Sequence, residues 1–185
     1  MQVHQLRIIG GQWKRSKLLV LDKPGLRPTP DRVRETLFNW LGQDLTGWRC
    51  VDAFAGTGAL GFEAASRGAK DVLLVEHDSA LVAQLGSIQV QLQASATRIV
   101  RGDGIAALTR LEAASVDVVF LDPPFDSALF DAALQAAAHA VTTGGFVYLE
   151  APTVWSNELL AEAGLQLYRY RKAGVVHAHL LKRVA

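Results

Sequence analysis

The sequence has one cysteine, six prolines, few aromatics (8%) and almost no net charge (+1) across 185 residues. A single thiol, Cys50, cannot close an internal disulfide, and a chain that does without one suits a reducing cytoplasm. Cys50 also sits beside Val51 in an apolar run, where burial is expected rather than reactivity. The first residues (Met1, Gln2, Val3, His4, Gln5, Leu6, Arg7) lack the apolar core of a signal peptide. One uncharged run, Ala132 to Leu149, is long enough to raise a membrane question. Gln135, His139, Thr142, Thr143 and the pair Gly144-Gly145 divide it into a helix and a strand, so no membrane span is expected. Internal repeats and low-complexity tracts are absent, and no metal is expected.

Half of the residues are apolar, enough for one well-buried domain and a modest appendage. The near-zero total hides an uneven distribution. Residues 1–49 carry a net +5, residues 50–164 a net −9, and residues 165–185 a net +5 with no acid at all. An acidic middle between basic ends fits a cofactor-binding core with a surface facing a polyanion.

The chain is organised around Val51-Asp52-Ala53-Phe54-Ala55-Gly56-Thr57-Gly58-Ala59-Leu60-Gly61. An apolar run ends in an acid, breaks into glycines and resumes as an Ala-rich amphipathic segment to Arg67. That pattern predicts strand, tight loop and helix, the first unit of a doubly wound α/β sheet. Glycines allow close backbone approach to a ligand, and a helix start offers free N–H groups there. The spacing Gly56-x-Gly58-x-x-Gly61, with Glu76 about twenty residues on, matches a dinucleotide fingerprint and admits NAD as readily as a nucleoside. Asp52 decides between them. A carboxylate at the strand end repels a pyrophosphate but suits an ammonium, which favours S-adenosylmethionine over NAD.

Residues 5–21 alternate weakly around Gly10-Gly11, predicting a hairpin-like extension over residues 1–28, with the main domain over 29–185. Trp13, Lys14, Arg15 and Lys17 in its turn, with Arg7 before it, suit phosphate contact and base stacking on RNA. A second basic cluster adds Arg27, Arg32 and Arg34. Within it, Thr29 is expected to cap a helix whose first residue is Pro30 and whose buried stripe is Val33, Leu37 and Trp40/Leu41. Downstream, strands are predicted at 71–76, 97–103, 116–121 and 146–150, and helices at 79–92 and 105–111. Residues 164–172 and 175–181 are expected to form a closing antiparallel pair. Four strands thus deliver Asp52, Glu76, Asp103 and Asp122 to their C-terminal ends, the ligand-binding edge of an open α/β sheet.

Asp122-Pro123-Pro124-Phe125 is the most specific tetrapeptide. Two prolines end the strand and stiffen the loop. The Asp122 carboxylate and the Pro123 carbonyl can both accept hydrogens from one amino group, while Phe125 offers a face for a planar base. Such a grip turns the delocalised lone pair of an exocyclic amine toward a methyl sulfonium.

Asp52-Ala-Phe-Ala-Gly-Thr-Gly, Glu76, Asp103 and Asp122-Pro-Pro-Phe resemble the class I S-adenosylmethionine-dependent methyltransferases that modify exocyclic amines. With Arg7-Ile-Ile-Gly-Gly-Gln-Trp and Gly25-Leu-Arg-Pro-Thr-Pro-Asp-Arg-Val-Arg-Glu-Thr-Leu-Phe-Asn-Trp, the chain resembles the bacterial 16S ribosomal RNA guanine-N(2)-methyltransferases. The resemblance covers nearly the whole chain and is weakest over 79–100 and in the last twenty residues. It implies a Rossmann-like, seven-stranded, mostly parallel sheet with an antiparallel last strand. Cofactor contacts are implied for Asp52, Ala53, Phe54, Gly56, Gly58, Glu76 (ribose), His77, Asp103 (adenine amine), Gly104 and Asp122. The target guanine falls to Asp122, Pro123, Pro124 and Phe125. The implied partner is 16S ribosomal RNA, in a small-subunit particle or assembly intermediate, met by a monomer. Three alternatives stay open: an amino-methyltransferase on an adenine or cytosine amine, an NAD-dependent oxidoreductase, and a non-catalytic RNA-binding or assembly factor.

Overall fold

The computed structural model describes residues 3–185. Two strands, β1 (Val3–Arg7) and β2 (Lys17–Leu21), pair antiparallel from Val3↔Leu21 to Arg7↔Lys17. The segment 22–30 then leads into α1 (Asp31–Trp40). After it come β3 (Arg49–Asp52), α2 (Ala59–Ser66), β4 (Asp71–Glu76), α3 (Ser79–Leu92), β5 (Thr97–Arg101), α4 (Gly104–Arg110) and β6 (Val116–Leu121). The chain finishes with α5 (Phe130–Ala140), β7 (Val141–Ala151), α6 (Asn157–Glu162), β8 (Leu165–Ala173) and β9 (Val176–Arg183).

The main sheet has seven strands in the order β5-β4-β3-β6-β7-β9-β8. The first five of these run parallel, and β9 inserts antiparallel between β7 and β8. The central strands are nearly continuous apolar runs, as a parallel sheet covered on both faces requires. Strand periodicity of two then sorts their side chains. Cys50, Val72, Leu74, Phe120 and Tyr148 join one core layer with the hairpin, α1, α2 and α3. Val51, Leu73, Val75, Leu121 and Leu149 join the other with α4 and α5.

Several sequence expectations are met closely: β4, α3 and β6 fall where the patterns put them, and β9 is the reversed strand. Two expectations need correction. The predicted strand over 146–150 begins at Val141, because α5 runs directly into it, and Asn157–Glu162 forms a helix not anticipated. Thr29 does not cap α1. Pro30 holds the cap position without a side-chain bond, and the Thr29 hydroxyl is turned into the interior instead. No helix among the described residues is long and apolar enough to cross a membrane.

Candidate active site

The Gly loop forms where β3 must turn into α2 under a tight ceiling. Gly58 caps α2 at φ +82°, and a Cβ there would stand 2.6 Å from the Phe62 ring. Only glycine meets both demands. Asp52, the last residue of β3, is buried and accepts the Gly61 N–H at 2.9 Å, which ties strand to helix. Burial pushes its carboxyl up to about 7, against the pull of that bond and helped by Glu76 and Glu150.

Glu76, at the end of β4, is buried and accepts the N–H of Gly56 at 2.8 Å and of Asp78 at 3.0 Å, bracing the loop from the neighbouring strand. His77 beside it is exposed, with Nδ1 3.2 Å from Glu76. Asp103 is exposed and caps α4 through the Ala106 N–H at 2.7 Å. Gly104 follows because a Cβ would lie 2.0 Å from the Ala53 carbonyl oxygen. Phe54 is partly buried against the α4/α5 layer. The structure therefore brings Asp52, Ala53, Phe54, Gly56, Gly58, Glu76, His77, Asp103 and Gly104 to one edge.

Asp122 follows β6 on the same edge, with Pro123 buried and Pro124 exposed. The Pro124 carbonyl accepts both the N–H (3.1 Å) and the hydroxyl (2.6 Å) of Ser127, which fixes the loop, and Phe125 rests partly buried on the α4/α5 layer. The β6–β7 register, Phe120↔Tyr148 and Leu121↔Leu149, sets Asp122 alongside Glu150. Desolvation raises both carboxyls, Asp122 well above the usual range with repulsion from Glu150 added, and Glu150 against the pull of the Tyr148 and Thr29 hydroxyls.

Glu150 is the residue sequence reasoning missed. It lies at the C-terminal end of its strand, as Asp52, Glu76 and Asp122 lie at theirs, and by the alternation of two all four fall on one face of the sheet. Its Oε1 accepts the hydroxyls of Tyr148 and Thr29, each at 2.9 Å. The segment 22–30 crosses this edge. Lys23 pairs with Asp78 at 2.5 Å, the Leu26 side chain approaches Gly56, and Thr29 reaches Glu150. Chain expected to belong to an appendage therefore borders the site.

The basic residues divide into two sets. Arg7, Lys14, Arg15 and Arg32 line a groove of about 450 Å³ between the hairpin turn and α1. Lys17 and Arg27 are exposed, and Trp13 is half-buried against the core. Arg34, expected on the RNA surface, is instead fully buried. Its guanidinium donates to the carbonyls of Thr29 (3.0 Å) and Arg7 (2.9 Å), pairs with Glu63 at 3.3 Å and bonds Asp31. Glu63 in turn accepts the N–H groups of Ile9 (3.0 Å) and Gly10 (2.8 Å). A basic count cannot distinguish such an internal tie from a phosphate contact.

A family model described as conserved hypothetical protein 95 matches residues 6–182. The ribosomal RNA small subunit methyltransferase D of Escherichia coli (strain K12) is 40% identical over 98% of this chain and 91% of that protein. The protein of the same name from Haemophilus influenzae is 36% identical over 95% and 93%. The solved structure of yhhF from Escherichia coli, described as a candidate methyltransferase, superposes with a TM-score of 0.83 at 37% identity, covering 98% of this chain and 99% of that one. The chain thus belongs to the conserved hypothetical protein 95 family, alongside the ribosomal RNA small subunit methyltransferases D.

Proposed function

We propose that this chain transfers a methyl group from S-adenosylmethionine to the exocyclic 2-amino group of a guanine in 16S ribosomal RNA. The observation that carries the reading is the single sheet edge that gathers a Gly loop, four inward carboxyl groups and Asp122-Pro123-Pro124-Phe125. The likeness to the methyltransferase D proteins supports the substrate. The residues fit the cofactor. Asp52 and Glu76, at neighbouring strand ends, set carboxyl oxygens against the Gly loop, where a phosphate would be repelled and a sulfonium and an ammonium accepted. Glu76 and Asp103 would hold the ribose and the adenine amine.

When bound, S-adenosylmethionine supplies an electrophilic methyl on a positively charged sulfur. Asp122 and the Pro123 carbonyl would accept the two hydrogens of the guanine amine and aim its lone pair at that methyl. Phe125 would stack on the base. Held in that orientation, the amine nitrogen would form its bond to carbon as the sulfur kept the electron pair of the bond it gives up, and Asp122 and Pro123 would release the surplus proton of the amine to solvent. The exposed cations Arg7, Lys14, Arg15, Lys17, Arg27 and Arg32 would hold phosphates of the RNA, in a small-subunit particle met by a monomer in the cytoplasm.

Mass mapping of ribosomal RNA from cells with and without the gene tests the reading: one guanine should lose 14 mass units when the gene is removed, roughly the mass exchanged in one methyl transfer. Loss of methylation at an adenine or cytosine amine would move the substrate. No change in the RNA, together with calorimetric binding of NAD in preference to S-adenosylmethionine, would discard it.

A further inference from the structure

Asp122, taken above as the acceptor of the guanine amine, does not stand alone. Glu150 lies beside it in the continued register of the β6–β7 pair and is almost entirely out of solvent. One Glu150 oxygen already takes two hydroxyl hydrogens, from Tyr148 within the strand and from Thr29, 121 positions away. We propose that Glu150 is a positioning residue for methyl transfer, fixing the carboxyl of Asp122 against the acceptor amine and anchoring the 22–30 segment over the same edge. The inference rests on the reading of Asp122 as that acceptor.

The physical basis is a shared proton. Two neighbouring carboxyl groups with little access to solvent do not both ionise cheaply, so a single proton held between them would restrict Asp122 to one orientation. The groups facing the pair reinforce this. β3 contributes Asp52, another acid, and β7 contributes the Tyr148 phenol. The 22–30 segment contributes the neutral Thr29, and β9 places Ala178 opposite Glu150. The Arg34 guanidinium reaches the Thr29 carbonyl from α1, so the Thr29 hydroxyl is aimed by a buried ion-pair cluster. Positioned groups that act through another residue contribute by removing small displacements at the reacting atoms, where about 1 Å is worth 10²-fold in rate.

The test is single-turnover methylation of small-subunit particles from cells lacking the gene, with S-adenosylmethionine and RNA both saturating. Glu150→Ala should lower the rate about 10²-fold while both affinities stay within about threefold of the parent. Glu150→Gln keeps an acceptor for Thr29 and Tyr148 and turns its amide toward Asp122, so it should fold and bind cofactor normally. It also removes the Glu150 repulsion that adds to desolvation in raising the Asp122 carboxyl. The fall in rate on acidification, which follows the raised carboxyl of Asp122, should therefore shift to lower pH in Glu150→Gln. Thr29→Val should lower the rate less than Glu150→Ala. If Glu150→Ala does not fold, the pH profile of Glu150→Gln decides alone. A parent-like rate and an unmoved profile overturn the inference. Asp122→Ala run in parallel separates the two readings: parent-like transfer by that variant removes the acceptor assignment itself, whereas an inactive Asp122→Ala beside unaffected Glu150 variants removes only the role of Glu150.

Discussion

Asp122 presents two separable properties, a shape with an oxygen acceptor and a basic carboxylate. An amine bound to an aromatic ring needs orientation more than deprotonation, since its proton becomes acidic only after methylation. Asp122→Asn keeps an acceptor in the same place and should retain measurable transfer, whereas Asp122→Ala should lose about 10²–10³-fold, as for deletion of one transition-state hydrogen bond. Phe125→Ala should weaken productive RNA binding by roughly 1–3 kcal/mol of lost stacking, with Tyr or Trp tolerated there. Single-turnover rates with cofactor affinity measured in parallel make the comparison. If Asn is as inactive as Ala while both still bind cofactor and RNA, Asp122 works as a base.

The hairpin and α1 are the elements on which basic residues have two fates. Arg34 is buried among Glu63, Asp31 and two backbone carbonyls, so Arg34→Met leaves Glu63 short of a counter-charge. Removing one partner of a buried pair costs about 3–5 kcal/mol, here softened by Arg67, which also bonds Glu63 at 3.0 Å. Denaturant unfolding should show a loss of about 3 kcal/mol. The double variant Arg15→Ala/Lys17→Ala removes two exposed charges and should leave stability within about 0.5 kcal/mol. It should instead flatten the salt dependence of RNA binding by about one unit of slope for each phosphate no longer neutralised. An unchanged slope would mean that the hairpin turn does not touch RNA. Gly11 also belongs to this scale. A Cβ there would lie 1.9 Å from the Ser66 carbonyl oxygen, so the turn docks on α2 only because that position is glycine.

At the scale of the whole molecule, the ligand edge makes folding and cofactor binding depend on pH together. The Asp52 carboxyl rises from an ordinary 3.8 to about 7 on folding, and Asp122 and Glu150 rise with it. The folded state therefore holds these protons more tightly than the unfolded chain. Its stability is fully present below about pH 4 for Asp52 and declines as pH rises toward 7, by an amount on the order of a few kcal/mol. A ligand that brings a sulfonium and an ammonium to this edge compensates the ionised acids, so the rise in Tm produced by S-adenosylmethionine should be larger at pH 8 than at pH 6. Asp52→Asn should flatten that difference. Equal shifts at both pH values would show that the cofactor does not meet these carboxyls. Differential scanning fluorimetry with and without cofactor checks both.

The order of the strands and the Gly loop followed from local pattern, because apolar runs of five or six residues ending in an acid, and helices of period 3.6, are written in neighbouring residues. The bounds of β4 and α3 and the convergence of Asp52, Glu76, Asp103 and Asp122 on one edge needed nothing more than that the strands run parallel. The tetrapeptide and the basic N-terminal signature likewise carried the family. Tertiary structure decided what depends on partners far apart in sequence. Arg34 looks like Arg32 until Glu63 and the Arg7 carbonyl close around it. Thr29 looks like a helix cap until Glu150 draws its hydroxyl inward. Glu150 looks like the end of one more strand until the β6–β7 register sets it against Asp122. Burial and pairing across such separations are set by how the layers stack, and a desolvated carboxyl gains its proton, its partners and its role only once that stacking has occurred.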